Sequence, residues 1–326
     1  MEQYGIGIDL GGTKILAGIV ELETGKVVAY AKKKTVNPLK EQGLAERIIE
    51  AVEEAIEEAK LEKATKFRGI GIGAAGQVDR EANALAFAPN LGVKPNYPLG
   101  SLLEDHFKLP VVLGNDVEAA TLGELHFGAG RGFQELVCIF VGTGIGGGLV
   151  QNGQMRRGAT GTAGEIGHTV VQFEGRACGC GGRGHLEAYA SRTAITKTIA
   201  GELKRGRKSV LTELLEEAEL ANLNTLVLRS KMIAKAVEAD DELVKEVLRE
   251  AAHVLSFGLA SVINLYNPER IILGGGLLEA VDFMFEILVR KAKLEALPLP
   301  ASKVEIVRTG LGDFSGLVGA SLFKKN

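Results

Sequence analysis

Tyr4-Gly5-Ile6-Gly7-Ile8-Asp9-Leu10-Gly11-Gly12-Thr13-Lys14-Ile15-Leu16-Ala17-Gly18-Ile19-Val20 is the stretch from which the rest of the chain is read. Residues 4–10 alternate in strand fashion, Gly11-Gly12 turn, and the pattern resumes from Thr13 to Val20. This is a β-hairpin with an acidic residue at its tip. A turn of Gly, Gly and Thr exposes consecutive backbone N–H groups, a nest suited to phosphate oxygens. The plainer alternative is that the glycine pair only supplies the positive φ of a tight turn. Outward from the hairpin come a third strand, Val27 to Lys33, and a helix from Lys40 to Lys63 with Leu44, Ile48, Val52, Ile56 and Ala59 on one face. Strands at Arg68–Ile72 and Pro110–Leu113 complete an α/β unit.

The pattern then recurs. Leu136-Val137-Cys138-Ile139-Phe140-Val141 leads into Gly142-Thr143-Gly144, and Gly146-Gly147-Gly148-Leu149-Val150 returns as a strand. Strand, glycine loop with a hydroxyl residue, and strand thus occur twice, which reads as an internal duplication of two similar lobes. Ser209 to Pro268 is mostly helical, with Leu243, Val247, Leu248, Ala251, Leu255, Leu259 and Val262 spaced for a buried face and Asn267-Pro268 as the stop. Arg270-Ile271-Ile272-Leu273 then enters Gly274-Gly275-Gly276 and a further helix.

A chain of 326 residues has room for two domains. Its 46% hydrophobic and 24% charged residues exclude a disordered chain or a fibre. With 38 Lys plus Arg against 41 Asp plus Glu, it has no broad positive field for nucleic acid. No apolar run is long enough for a membrane span, and Met1-Glu2-Gln3 runs into the first strand without a basic leader, so a cytoplasmic protein is expected. Three cysteines make no disulfide framework, and Cys178 and Cys180, with His185 nearby in a glycine-rich stretch, look like a metal clip. Gly71–Gly76 and Gly142–Gly147 formally match G-x-G-x-x-G, but neither precedes a convincing helix, which the dinucleotide fingerprint needs to receive a pyrophosphate. No G-x-x-x-x-G-K-[ST] occurs either.

Asp9-Leu10-Gly11-Gly12-Thr13-Lys14, Gly142-Thr143-Gly144 and Gly274-Gly275-Gly276 resemble the phosphate-one, phosphate-two and adenosine elements of sugar kinases with the actin-like ATPase fold. Glu165-Ile166-Gly167-His168 and Cys178-Gly179-Cys180-Gly181-Gly182-Arg183-Gly184-His185-Leu186-Glu187 resemble signatures of the ROK family (repressors, open reading frames, kinases). The resemblance runs from residue 5 to about residue 320, and five separated motifs occur in order. It implies an α/β fold of two actin-like (ribonuclease H-like) lobes with an interlobe cleft. The N-terminal lobe would be 1–115, completed by 308–326, and the C-terminal lobe 116–307.

The resemblance also implies transfer of the ATP γ-phosphoryl group to a hexose, with Mg²⁺ assisting. Asp9, Gly11, Gly12, Thr13, Lys14, Gly142, Thr143, Gly144, Gly274, Gly275 and Gly276 would hold the nucleotide. Glucose, giving glucose 6-phosphate, is the expected acceptor, because the Glu165–His168 motif and the run Asn115-Asp116-x-x-Ala119-Ala120-x-x-Gly123-Glu124 most resemble glucokinases of the family. N-acetylmannosamine, N-acetylglucosamine or fructose kinases are the alternatives. A sugar-responsive repressor would carry a helix-turn-helix domain before the first phosphate motif; eight residues precede Asp9, so that reading is disfavoured. A non-enzymatic actin-like polymer would need no hydroxyl-binding set. A homo-oligomer, dimer or tetramer, is expected.

A hexose presents several hydroxyls, each donor and acceptor, so its pocket calls for carboxylates, amides and imidazole. The resemblance assigns Asn90, Asn115, Asp116, Glu165, His168 and Glu187 to that pocket and makes Asp116 the general base. By itself Asp116 reads more readily as the N-cap of a helix from Val117 to Phe127. His168, Cys178, Cys180 and His185 make a four-ligand set of the structural zinc type, with His185 where the family pattern has a third cysteine. Unmetallated thiols are the alternative.

Overall fold

The computed structural model describes residues 3–35, 43–62 and 64–325. The chain divides into two compact units. One runs up to Gly132 and takes up the chain again from Thr309; the other is Phe133–Arg308.

The first unit holds β1 (Tyr4–Leu10), β2 (Lys14–Glu21), β3 (Val27–Lys34), β4 (Phe67–Ala74), a small hairpin of β5 (Gln77–Asp79) and β6 (Ala84–Phe87), and β7 (Val111–Asn115). Its main sheet has the order β3-β2-β1-β4-β7, with β1–β2 and β2–β3 antiparallel and β1–β4 and β4–β7 parallel. The Gly-Ile alternation that reads as a strand sorts residues by face. Ile6, Ile8, Ile70 and Ile72 enter a core with Leu44, Ile48, Ala51, Val52 and Ala55 of helix Leu44–Ala59. On the opposite face, a Cβ at Gly7 would lie 1.9 Å from Leu317 O and one at Gly71 1.8 Å from Ala320 O, so the C-terminal helix Ser315–Ala320 lies directly on the sheet backbone.

Helix Leu44–Ala59 stops because Lys60 turns left-handed (φ 49°). The expected helix was longer; its ends at Lys40 and Lys63 lie outside the described residues. Helix Asp116–Phe127 belongs to the first unit, which therefore extends past Asn115, where the sequence reading closes it. The cause is close packing: a Cβ at Gly319 would lie 1.6 Å from Ala119 O, and one at Gly123 2.4 Å from Ser315 O. Arg308 ends β12 and falls in the second unit.

The second unit repeats the plan. Its strands are β8 (Leu136–Val141), β9 (Ile145–Gln151), β10 (Gln154–Met155), β11 (Arg270–Gly274) and β12 (Glu305–Arg308), in the order β10-β9-β8-β11-β12. Here too the first pairs are antiparallel and the later ones parallel, strand for strand the topology of the first sheet. The seven residues expected to form the buried face of the long helix are all buried in Glu242–Tyr266, which ends at a left-handed Asn267 just before Pro268. Neither G-x-G-x-x-G match leads into a helix: Gly71–Gly76 passes into β5 and Gly142–Gly147 into β9. Among the described residues no helix is long and apolar enough to cross a membrane.

Candidate functional site

In the first unit, register brings the candidate residues to one sheet edge. Asp9, Gly73 and Gly114 lie in one row, and Leu10, Ala74 and Asn115 in the next. The β1–β2 turn and the start of helix Asp116–Phe127 therefore share the carboxyl-terminal edge of the parallel strands, two strand spacings or about 10 Å apart. The turn is braced from behind: Thr35 donates through its N–H to Thr13 O (3.1 Å) and through Oγ1 to Gly11 O (2.7 Å), while Gly11 N–H donates to Lys14 O (2.9 Å). Among the described residues no acceptor takes the N–H groups of Gly12 and Thr13. Asn90, in the short turn Pro89–Leu91, stands over this loop, its Cβ 3.1 Å from where a Gly12 Cβ would be.

Asp9 is crowded by protein, and burial pushes its carboxyl pKa up to about 6, against the attraction of Lys14 and with repulsion from Asp116 and Asp313. Lys14 Nζ reaches Asp313 at 3.5 Å. Gly316 faces Asp9, where a Cβ would come 3.1 Å from Cγ. Asp313 and Gly316 arrive from the far end of the chain, and no local sequence signal marks them as part of this site.

The cap of helix Asp116–Phe127 is Asn115, not Asp116: its Oδ1 accepts the N–H groups of Val117 (2.9 Å) and Glu118 (3.2 Å). Asp116 follows as the first helical residue, its Oδ1 3.0 Å from Val117 N. The helix starts one residue earlier than the cap reading requires, at Asp116, so the capping position falls to Asn115. With its oxygen engaged, Asn115 keeps its Nδ2 hydrogens for another partner, and Asp116 is left at the positive end of the helix dipole. Glu118, two residues on, pairs with Arg80.

In the second unit the β8–β9 turn is Gly142-Thr143-Gly144, closed by Gly142 N–H to Gly144 O at 2.9 Å. Its other carbonyls are pinned to the start of helix Arg192–Lys204: Arg192 N–H to Gly142 O (2.9 Å) and Thr193 Oγ1 to Thr143 O (2.7 Å). Among the described residues nothing accepts from Thr143 N–H or Gly144 N–H. A loop with every carbonyl engaged and adjacent N–H groups open is selective for anions. Gly274 pairs with Phe140 in the parallel β11–β8 ladder, so Gly274-Gly275-Gly276 follows from the same sheet edge. A Cβ at Gly275 would lie 2.5 Å from Val141 O.

The loop carrying Glu165 and His168 rests on β9 through glycine: a Cβ at Gly167 would meet Ile145 O at 2.1 Å. His168 offers Nδ1 to Cys178 Sγ (3.8 Å) and Nε2 to the exposed Glu165 (3.9 Å). Cys180 Sγ and His185 Nδ1 are 3.2 Å apart, and the four donor atoms of His168, Cys178, Cys180 and His185 all lie within 4.8 Å of one another. Two thiols and two imidazoles at that spacing fit a tetrahedral soft-to-borderline divalent cation, with thiolate and imidazole both suited to zinc. Glu187 places Oε2 on Ile145 N–H (2.9 Å), against the Gly142–Gly144 loop, and Oε1 3.8 Å from Cys178 Sγ. It thus bridges the four-residue cluster and the anion loop.

The six residues assigned to a sugar divide evenly by unit: Asn90, Asn115 and Asp116 in the first, Glu165, His168 and Glu187 in the second. Sequence reasoning passed over Arg192 and Thr193, which follow the Glu187 segment with no motif of their own, and Thr35, which braces the first turn.

A profile described as the ROK family matches residues 5–326. A glucokinase of Thermotoga maritima is 35% identical over 316 residues, 97% of this chain and 95% of that protein. The crystal structure of a ROK family glucokinase from Streptomyces griseus in complex with glucose and AMPPNP superposes with a TM-score of 0.82 at 33% identity, covering 98% of both chains. A ROK hexokinase from Thermus thermophilus gives a TM-score of 0.75 at 30% identity over 98% of this chain and 97% of the other.

Proposed function

The chain belongs to the ROK family, and from that premise we propose that it is an ATP-dependent glucokinase with the two-lobed actin-like fold, converting glucose to glucose 6-phosphate. The observation that carries this reading is the end-to-end correspondence with the Streptomyces griseus glucokinase, whose structure holds glucose and AMPPNP. The local geometry supplies matching chemistry.

Asp116 is the general base. It accepts the proton of the attacking sugar hydroxyl as the new O–P bond forms and the bond from the γ-phosphorus to the ADP oxygen breaks. Asn115, its Oδ1 occupied by the helix N-terminus, donates from Nδ2 to a neighbouring hydroxyl. Asn115 takes the capping role, and Asp116 follows it as the first helical residue. Glu165, His168, Glu187 and Asn90 complete the polar inventory for sugar hydroxyls. A site that hydrogen-bonds each hydroxyl rejects analogues lacking one by about 10⁴–10⁵, since its own polar groups would be stranded.

The N–H groups of Gly12, Thr13, Thr143 and Gly144, with Lys14, bind phosphate oxygens, and Gly274-Gly275-Gly276 the adenosine portion. Phosphoryl transfer is mostly positioning and charge stabilisation, which pinned backbone amides provide without reorganising. Asp9, two residues before Gly11, would hold Mg²⁺ or its waters beside the triphosphate, and the ion would supply charge neutralisation there. His168, Cys178, Cys180 and His185 would hold zinc, whose part would be structural, fixing the segment that bears Glu165 and Glu187. The two nitrogens of His168 face different partners, so Nδ1 can serve the metal and Nε2 a hydroxyl.

Few cysteines and no disulfide pattern suit a cytoplasmic protein. A homo-oligomer would cover the exposed Leu265, Leu294, Leu297 and Leu299 of the second unit. The test of the substrate is a coupled ADP-release assay across glucose, fructose, mannose, N-acetylglucosamine and N-acetylmannosamine. Glucose should give the highest kcat/KM; turnover confined to N-acetylated sugars would refute the assignment.

A further inference from the structure

Arg192 is a cation with no anion. It opens helix Arg192–Lys204, half-buried, and among the described residues no carboxylate lies within ion-pairing distance of it. Among the described residues its guanidinium makes one hydrogen bond, from Nη2 to Thr143 Oγ1 at 2.9 Å. Burial without compensation moves its pKa down, the direction expected where a charge has lost water and gained no counterion. A guanidinium partly withdrawn from water gains most from a planar anion such as a carboxylate or phosphate.

The direction of the bond matters. A hydroxyl has a single proton, so a threonine oxygen that accepts from arginine keeps its own O–H for a second acceptor. The two N–H groups of the same turn, Thr143 and Gly144, are also open. Three donors on adjacent residues, with a guanidinium behind them, describe a cradle for one phosphate group.

We propose that Arg192 is a positioning residue for the phosphoryl donor: it holds the Thr143 hydroxyl as an acceptor, so that the O–H joins the Thr143 and Gly144 N–H groups on a phosphate of the nucleotide. This rests on the phosphotransferase reading and adds to it a residue outside every motif. Arg192 also contributes its backbone N–H to Gly142 O, and Thr193 holds Thr143 O. Substituting the Arg192 side chain therefore leaves the turn's backbone braced, and its effect reports on the guanidinium.

The experiment uses the full-length, metal-loaded protein. MgADP binding is measured by calorimetry and steady-state kinetics with ATP and glucose, for Arg192→Met, Arg192→Lys, Thr143→Val and the Met/Val double variant. Loss of one charge-assisted hydrogen-bonding unit on an anion should weaken MgADP and raise the KM for ATP about tenfold in Arg192→Met, with the KM for glucose within about twofold. Arg192→Lys should recover part of the loss. The double variant should match Thr143→Val alone, because Arg192 acts through that hydroxyl. Unchanged MgADP affinity in Arg192→Met, or a double variant showing the product of the single effects, overturns the inference. A wild-type protein that binds MgADP but turns over no hexose would overturn the kinase reading instead, while the binding comparison still decides Arg192.

Discussion

Replacing Glu124 by glutamine should destabilise the first unit far more than one exchanged atom suggests. Glu124 is fully buried near the end of helix Asp116–Phe127. Its Oε2 accepts the N–H groups of Ala129 and Gly310, each at 2.8 Å; its Oε1 accepts Leu311 N–H at 3.0 Å and the Ser315 hydroxyl at 2.6 Å. Four donors converge on one carboxylate, and three are backbone N–H groups that cannot reverse. In glutamine one oxygen becomes an NH₂. Placed at the Oε2 position, it opposes two N–H groups. Placed at Oε1, it opposes Leu311 N–H, while Ser315 can turn and accept, since Gly312 O already offers it another acceptor at 2.8 Å. The better arrangement still strands one buried N–H, worth about 1–3 kcal/mol, and converts the remaining bonds from charge-assisted to neutral. A total of about 3–5 kcal/mol follows, or roughly 6–20 °C in Tm for a unit of this size. Glu124→Gln and wild type should be compared by calorimetric melting at one pH and fixed zinc. A Tm within about 1 °C of wild type would show that the carboxylate does not organise the returning chain.

The other expectations concern chemistry and linkage. Asp116→Asn should melt like wild type and lose about 10²–10⁴ in kcat, read in the coupled ADP assay; wild-type turnover would remove Asp116 as base. Asp9, pushed up to about 6 from 3.8, holds its proton more tightly folded than unfolded, so its contribution to stability is complete below about pH 4 and declines as pH rises through about 6. At neutral pH this is at most about 3 kcal/mol, so Asp9→Asn should raise the nucleotide-free Tm more at pH 7.5 than at pH 4.5, while impairing ATP-dependent turnover. An equal shift at both pH values would refute the linkage. Elemental analysis should find about one zinc per chain. Cys180→Ser should lower that content together with Tm and activity, and a chelated protein of unchanged Tm and activity would count against a structural metal.

Most of the fold was legible because its signals are local. Period-two alternation with glycine turns fixes the two hairpins, and the helical spacing from Leu243 to Val262 fixes the long helix. Repetition of strand, loop and strand is enough to infer a duplicated plan, which both sheets carry in the same strand order. The cluster of His168, Cys178, Cys180 and His185 was also within reach, because three of its members sit on one short glycine-rich loop. The boundary of the first unit was not, since helix Asp116–Phe127 is held there by Gly123 and Gly319 contacts that join residues far apart in the chain.

The amino-acid order alone determined which backbone segments are strands, turns and helices, and which carboxylates, amides and thiols stand beside them, since propensity and periodicity act over a few residues. Tertiary structure decided what those groups do: that Asn115 rather than Asp116 caps the helix, that Gly316 lies against Asp9, that Glu187 touches the second anion loop, and that Arg192 faces Thr143 with no carboxylate beside it among the described residues. Desolvation, hydrogen-bond direction and charge compensation depend on which atoms from distant parts of the chain come within a few ångströms, and sequence spacing does not contain that information.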